Sequence, residues 1–348
     1  MNDRFLRACR REPVDATPVW FMRQAGRYMS AYRAIRQRYS LLEICKRPEL
    51  AVAVTLQPVD AIEVDAAIVF SDLLLPFAPM GLSFDFVKGE GPQIDNPIRS
   101  PADVDRLRDF DAEEALPHVL ETIRLLRLEL RSRVPLIAFG GAPFTLAAYA
   151  IEGGPSTTYS RTKAFMYSEP AAWHRLCDKL ATNMIKYLHA QIAAGAQALQ
   201  IFDSWAGALG RADYQEFALP HSRRIFEALS DRGVPLIHFG VGTAAILEAI
   251  AAAGGDVIGL DWREPLDEAW ATVGLDRGVQ GNLDPSLLLG PGERMLAAAD
   301  DVLGRAAGRP GHIFNLGHGI LPNTPLEHVQ ALARHVHKTS AARELRNT

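Results

Sequence analysis

The chain has 348 residues, 48% hydrophobic and 22% charged, the proportions of an ordinary globular protein. A formal net charge of −4 offers no basic field for nucleic acid, and no run reaches the roughly 18 apolar residues that span a bilayer. Cys9, Cys45 and Cys177 share no short pairing motif, which argues against a disulfide framework or zinc ribbon, and MNDRFLRACRREPVD has no apolar run to act as a signal peptide, so a reducing, cytoplasmic setting is expected.

Eight short apolar runs recur, bounded by Gly, Asp, Ser or Pro. In chain order they are PVWFM (18–22), DAAIVF (65–70), PLIAFGG (135–141), ALQIFDS (198–204), PLIHFGVG (235–242), DVIGLDW (256–262), GVQGNLD (278–284) and GHIFNLGHG (311–319). They are continuous rather than alternating, the pattern of strands buried on both faces. Helical segments lie between them. One spans 113–133, with Val119, Ile123, Leu126 and Leu130 on one stripe; others span 170–195, capped by Gly195, then 214–233 and 243–255. Eight buried strands alternating with helices predict parallel βα units and a (β/α)8 TIM barrel forming a single domain over 1–348. An open doubly wound sheet is the alternative. The Gly- and Pro-rich segment 75–101 breaks the rhythm and reads as a hairpin-like excursion after the second strand.

In a barrel, active sites gather at the C-terminal ends of the strands. Arg23, Gln24, Ala25, Gly26, Arg27 and Tyr28 follow the first run, and Ser71 and Asp72 close the second. Tyr149 follows the third, and Ser204 closes the fourth. The fifth carries His238, the sixth Asp261, and the eighth Asn315 and His318. From Phe21 to Arg47 there are seven cationic side chains against the single acid Glu43. Such an excess at a barrel mouth attracts a polyanionic small ligand, and arginine is the best fork for carboxylates. Arg33, Arg36, Arg38, Lys46 and Arg47 read more simply as a solvated helix face, whereas Arg23 and Arg27 sit beside Gly26 and read as ligand contacts. Asp72 reads equally as a helix N-cap or a site carboxylate. Tyr149 has a capped core aromatic as its alternative, and Ser204 a strand-end cap. His318, between two glycines, reads as a site residue whose flanking backbone turns tightly near a ligand. His238 lies inside a strand and reads as a satisfied core histidine. Phe139 and Phe202 fit core packing or a flat ligand equally well.

The segments PVWFMRQAGRYMSAYR, FSDLLLP, GAPFTLAAYAIEGG, FDSWAG and NLGHGILPNTP closely resemble, in order, the motifs of the uroporphyrinogen decarboxylase family, over about residues 4–337. The resemblance implies a single-domain (β/α)8 barrel, a homodimer, and a carboxy-lyase acting without metal or organic cofactor. That reaction removes the four acetate carboxyl groups of uroporphyrinogen III as CO2 and yields coproporphyrinogen III for heme biosynthesis. It further implies that Asp72 faces the pyrrole N–H groups and stabilises a cationic intermediate. Arg23 and Arg27 would bind carboxylates, with Arg23 also aiding proton delivery although arginine is a poor acid. Gln24, Ala25 and Gly26 would line the same turn, and Tyr149, Ser204 and His318 would complete the substrate site. Two rivals share the barrel: a zinc-dependent corrinoid or thiol methyltransferase, disfavoured because no cysteine ends a strand, and a non-catalytic tetrapyrrole-binding protein.

Overall fold

The computed structural model describes residues 2–87 and 91–347. Its central element is a parallel sheet of seven strands, ordered β1 (Ala67–Ile68), β4 (Leu136–Gly141), β5 (Ala198–Asp203), β6 (Leu236–Gly240), β7 (Val257–Gly259), β8 (Gly278–Leu283) and β9 (His312–Leu316). These are seven of the eight apolar runs, and nearly every residue in them is buried. Helices cover the outer face, so the continuous apolar runs satisfy two buried surfaces at once.

The first run, 18–22, is the exception. It forms a single bridge, Val19 to Phe314, rather than a strand. Of its backbone donors, Trp20 N reaches the sheet at Phe314 O (3.4 Å), and the others go elsewhere. Pro18 has none, Val19 N donates to Asp65 Oδ2 (2.7 Å), Phe21 N to Gln24 Oε1 (3.1 Å) and Met22 N to Asn315 Oδ1 (3.2 Å). The segment still contacts both edges of the sheet: Phe314 N donates to Pro18 O (2.8 Å), and Asp65 N donates to Val19 O (2.7 Å). β1 is short for a related reason, because Phe70 N is taken by Thr55 Oγ1.

The helices deviate from the predicted spans where proline intervenes. The segment 113–133 divides into Ala112–Ala115 and Pro117–Leu130, with Leu116 between them off the helical region. The residue before a proline is driven out of that region by the ring. The helix Pro170–Ala194 runs unbroken to Gly195, whose φ of 115° makes it the left-handed cap. The segment 214–233 opens with a π turn, Tyr214–Ala218, before the helix Leu219–Leu229. Pro220 supplies no N–H there, and the wider turn accommodates the missing bond. The segment 243–255 starts as a 3-10 turn, Ala244–Ile246, and continues as the helix Leu247–Ala253. Within 75–101, β2 (Phe84–Val87) pairs antiparallel with β3 (Gly91–Ile94); residues 88–90 of that excursion lie outside the described residues. Its return leg is tied down, with Ile94 N donating to Gly153 O and Ile98 N to Ala150 O (2.8 and 2.9 Å).

Two apolar clusters form the core. The larger lies between sheet and helices. The smaller lies on the inner face and draws Ile137, Ala198, Ile237, Val257 and Ile313 from five strands, with Trp20 and Met22 from the first run. β8 contributes Gln280 instead, which accepts from Trp20 Nε1 (2.8 Å) and donates to Gln200 Oε1 (3.0 Å). No helix among the described residues is long and apolar enough to cross a membrane.

Candidate active site

A cavity of about 280 Å³ opens at the C-terminal ends of the strands. Of the residues singled out by sequence, it gathers Arg23, Ala25, Asp72, Tyr149, Ser204 and His318, with Phe139, Phe202 and Phe239 in its apolar wall. Those rings form an edge-to-face chain, with centroids 5.5 and 5.9 Å apart. The same strand ends thus supply an apolar aromatic wall and convergent polar groups, the usual makeup of a small-molecule site.

Asp72 follows β1 and is half-buried. Its Oδ1 accepts from Leu74 N (2.9 Å), so the carboxylate caps the turn that follows. Burial pushes its pKa up to about 6, against the lowering effects of the Leu74 N–H and the Arg23 charge. The group is therefore largely ionised at neutral pH, and costly to ionise, the condition in which a carboxylate gains most from a cationic or N–H-rich partner.

Arg23 has a φ of 61°, in the left-handed region that non-glycine residues seldom enter. That conformation lays its side chain across Gly319, where a Cβ would come within 2.4 Å of Arg23 Cδ. Gly26 is required locally, since a Cβ there would lie 2.9 Å from Arg23 O. Gly26 and Arg27 do not line the cavity; Arg27 is exposed, and its carbonyl accepts from Arg33 Nη1 (2.9 Å). Gln24 does not line it either. It is fully buried, accepting from Phe21 N and donating to Ala66 O (3.1 Å each), and so braces the first segment against the start of β1. Arg33 and Arg36 donate to nearby carbonyls, and Arg47 lies over Tyr39 at 5.1 Å.

His318 Nδ1 accepts from Gly319 N (2.7 Å), which assigns its proton to Nε2. Burial, followed by the charges of Arg23 and Arg263, lowers its pKa to about 4. The ring is thus a neutral N–H donor. The flanking glycines serve close approach to protein rather than a left-handed turn: a Cβ on Gly317 would lie 2.4 Å from Trp262 N. Tyr149 is half-buried and packs on Trp205 with centroids 3.8 Å apart. Burial raises its pKa, which keeps the phenol protonated and able to donate.

A network that the sequence did not point to joins two residues lining the cavity, Thr145 and Trp205, to buried groups behind them. Asp203, fully buried, accepts from Thr145 Oγ1 (3.0 Å) and Tyr214 OH (3.5 Å), while Thr145 Oγ1 accepts from Trp205 N (3.2 Å). It joins the end of β5, which Ser204 follows, to the helix Pro143–Glu152, which carries Tyr149. The available signal was an acid ending an otherwise apolar run. His238 is buried as expected but not satisfied. Neither ring nitrogen has a hydrogen-bond partner among the described residues, and Nε2 lies 3.8 Å from Asp203 Oδ2, beyond bonding distance. Its ring packs on Phe226 at 4.7 Å. Thr145→Val should cost about 1–3 kcal/mol, the scale of leaving buried partners unsatisfied, and Thr145→Ser should restore most of it. Thermal melts of the two proteins check this.

The whole chain is similar to known proteins. A family model described as uroporphyrinogen decarboxylase (URO-D) matches residues 1–339. A protein named uroporphyrinogen decarboxylase from Carboxydothermus hydrogenoformans is 57% identical over 98% of this chain and 97% of its own. One of the same name from Sorangium cellulosum is 57% identical over 98% of each. Among solved structures, a methyltransferase from Methanosarcina mazei superposes with a TM-score of 0.76 at 20% identity, covering 97% of this chain and 98% of that one; this is a likeness of fold alone. With the family model and relatives above half identity both spanning nearly the full length, the chain belongs to the uroporphyrinogen decarboxylase family.

Proposed function

We propose that this protein is a uroporphyrinogen decarboxylase that converts the four acetate side chains of uroporphyrinogen III to methyl groups, yielding coproporphyrinogen III. The observation that carries the reading is the half-buried Asp72 carboxylate, the one acidic side chain among the described residues lining a cavity that also holds the donors Arg23, Tyr149 and the Nε2–H of His318, with the hydroxyls of Ser71, Thr145 and Ser204 beside them. That arrangement suits a ligand with N–H groups at its centre and carboxylates at its edge.

The chemistry asks for little else. A proton adds to a pyrrole carbon and makes the ring an iminium-like cation. The electrons of the C–CO2 bond then move into the ring, CO2 leaves, and a second proton converts the exocyclic CH2 to methyl while the ring carbon gives up the first. The net change is one proton taken up and one CO2 released per acetate. Because the substrate is its own electron sink, the reading needs no organic cofactor or metal. Asp72 stabilises the cation. Arg23 and, at the mouth, Arg27 bind carboxylates, with Arg23 also aiding proton delivery. Tyr149, Ser204 and His318 hydrogen-bond the substrate, and the turn of Gln24, Ala25 and Gly26 sets Arg23 in place.

The same reading takes 1–348 as one domain and the sheet as a closed (β/α)8 barrel, with 18–22 as its eighth stave between β9 and β1. The bonds of Val19 and Pro18 to both sides, and an inner apolar cluster shared by Trp20 and Met22, support closure. It further takes the protein as a cytoplasmic homodimer. Thiol activation by zinc has less support, since Cys9, Cys45 and Cys177 are buried and none lines the cavity. The direct test is anaerobic incubation with uroporphyrinogen III, then chromatography of the oxidised products. Species with seven, six, five and four carboxylates should appear in turn; an unchanged octacarboxylate with bound porphyrin would instead support a carrier.

A further inference from the structure

The cavity is small for the ligand just proposed. At about 280 Å³ it falls just below the roughly 300–1,000 Å³ that enclose drug-sized molecules, and a tetrapyrrole with eight carboxylates is larger still. Part of the ligand therefore crosses the rim, where its carboxylates need cationic partners. Arg23 supplies one side of that rim.

A second guanidinium, that of Arg263, lies beyond His318, outside the residues that line the cavity itself. Gly319 packs beneath Arg23, and Gly317 packs against the backbone of Asp261 and Trp262, where a Cβ would lie 2.9 Å from Asp261 C. His318 thus stands between Arg23 and the turn 261–263. In that turn Arg263 Nη1 bonds Asp261 Oδ2 at 2.7 Å, and the guanidinium lies 4.1 Å from the centroid of the Trp262 ring. The Asp261 carboxylate, 4% exposed, also accepts from Arg263 N (2.8 Å) and Gly242 N. Arg263 itself remains 48% exposed. Its plane is fixed by the stack and the ion pair, yet among the described residues the one Nη1 bond leaves the other donors of the fork unused. A carboxylate that docks there meets a group already ordered, so little further side-chain entropy is lost. The charges of Arg23 and Arg263 both depress the His318 pKa, which puts both within electrostatic reach of the ring at the cavity edge.

We propose that Arg263 is a rim residue of the same site, binding a carboxylate of the tetrapyrrole other than the one being lost; this rests on the decarboxylase reading above. The test is anaerobic steady-state kinetics of Arg263→Met, Arg263→Glu and Arg263→Lys beside wild type, with thermal melts of each. Arg263→Met should raise KM for uroporphyrinogen III about three- to tenfold, the scale of one partly shielded charge pair. Arg263→Glu should raise it further, and added salt should narrow the gap. Arg263→Lys should fall between wild type and Met, because lysine keeps the charge but not the fork. Asp261 retains its two backbone donors in every variant, so Arg263→Lys should melt close to wild type, Arg263→Met somewhat lower, and Arg263→Glu lowest because its carboxylate faces that of Asp261; KM is read at a temperature where all four proteins are folded. Unchanged KM in both the Met and Glu proteins, or a loss confined to kcat, overturns the proposal and leaves Arg263 as a partner of Asp261 only. Wild type in the same assay reports separately on the reading beneath: if it yields no decarboxylated product, that reading fails, whereas active wild type with indifferent variants removes only the role of Arg263.

Discussion

Asp72→Asn is expected to lower kcat by about 100- to 1,000-fold, the usual cost of removing a preorganised group that stabilises transition-state charge, without lowering the melting temperature. The structure separates the two halves of this expectation. The capping bond from Leu74 N goes to one oxygen, and an asparagine Oδ1 accepts it equally well. What the substitution removes is the negative charge, and it turns one acceptor into a donor facing other donors. The carboxyl is also costly to keep ionised. Its folded pKa, raised to about 6, exceeds the ordinary value of 3.8, so the folded state binds the proton more tightly, and stability from this group falls as pH rises from the ordinary value through about 6. Asp72→Asn should therefore melt no lower than wild type at neutral pH, and slightly higher. The same titration predicts an acid limb near pH 6 in wild-type kcat/KM that is missing in the variant. A folded Asp72→Asn protein with near wild-type turnover would leave Asp72 as a turn cap only.

The largest stability effect is expected at Asp65, which no local pattern singles out. Asp65 is 1% exposed and accepts four hydrogen bonds. Oδ1 takes Asn2 Nδ2 and Arg4 Nη1, each at 2.6 Å; Oδ2 takes Val19 N at 2.7 Å and His337 Nε2 at 2.6 Å. One carboxylate thus joins the N-terminal residues, the run 18–22, the approach to β1 and the helix Leu326–Asn347. Asp65→Asn places an N–H2 against two of those donors. Breaking a buried charged network from one side costs about 3–5 kcal/mol. At roughly 2.1 cal/mol/K of unfolding entropy per residue, about 1.4 °C per kcal/mol for 348 residues, the melting temperature should drop by about 4–7 °C. Burial raises the Asp65 pKa, but His337 and Arg4 outweigh it and hold the carboxyl below its ordinary range. Its contribution is then present above that range and lost as pH falls through the depressed value, so wild type should lose more stability on acidification than the variant. Equal melting curves for the two proteins would show that the seam at Val19 is held by the backbone alone.

How far the sequence could be read differs from element to element. Runs such as PLIAFGG and ALQIFDS announced buried strands because both faces are covered, and a residue type suited to burial on both sides leaves little choice of structure. The run 18–22 has the same composition yet forms one bridge, because Asp65, Gln24 and Asn315 take its N–H groups. Asp65 and Asn315 lie 46 and 293 residues from the donors they take, and only Gln24 is a chain neighbour, so a local pattern encodes little of the competition. The prolines at 117 and 220 are local, and the breaks they impose on two helices were legible in principle.

The site divides along the same line. Arg23, Asp72, Tyr149, Ser204 and His318 were legible because strand ends in a βα repeat point to one face, so position in the repeat alone brings them together. That the glycines around His318 make room for protein rather than for ligand, that Gln24 faces inward as a brace, and that Thr145 and Asp203 lock the wall behind Ser204 required the tertiary structure. So did the pairing of Arg23 and Arg263 across His318. The sequence by itself determined the parallel βα repeat and the residue types at its strand ends, because burial on two faces and helix periodicity are properties of neighbouring residues. Only the tertiary structure decided which of those groups share an environment, because desolvation, hydrogen-bond competition and charge proximity act between residues that are close in space and far apart in the chain.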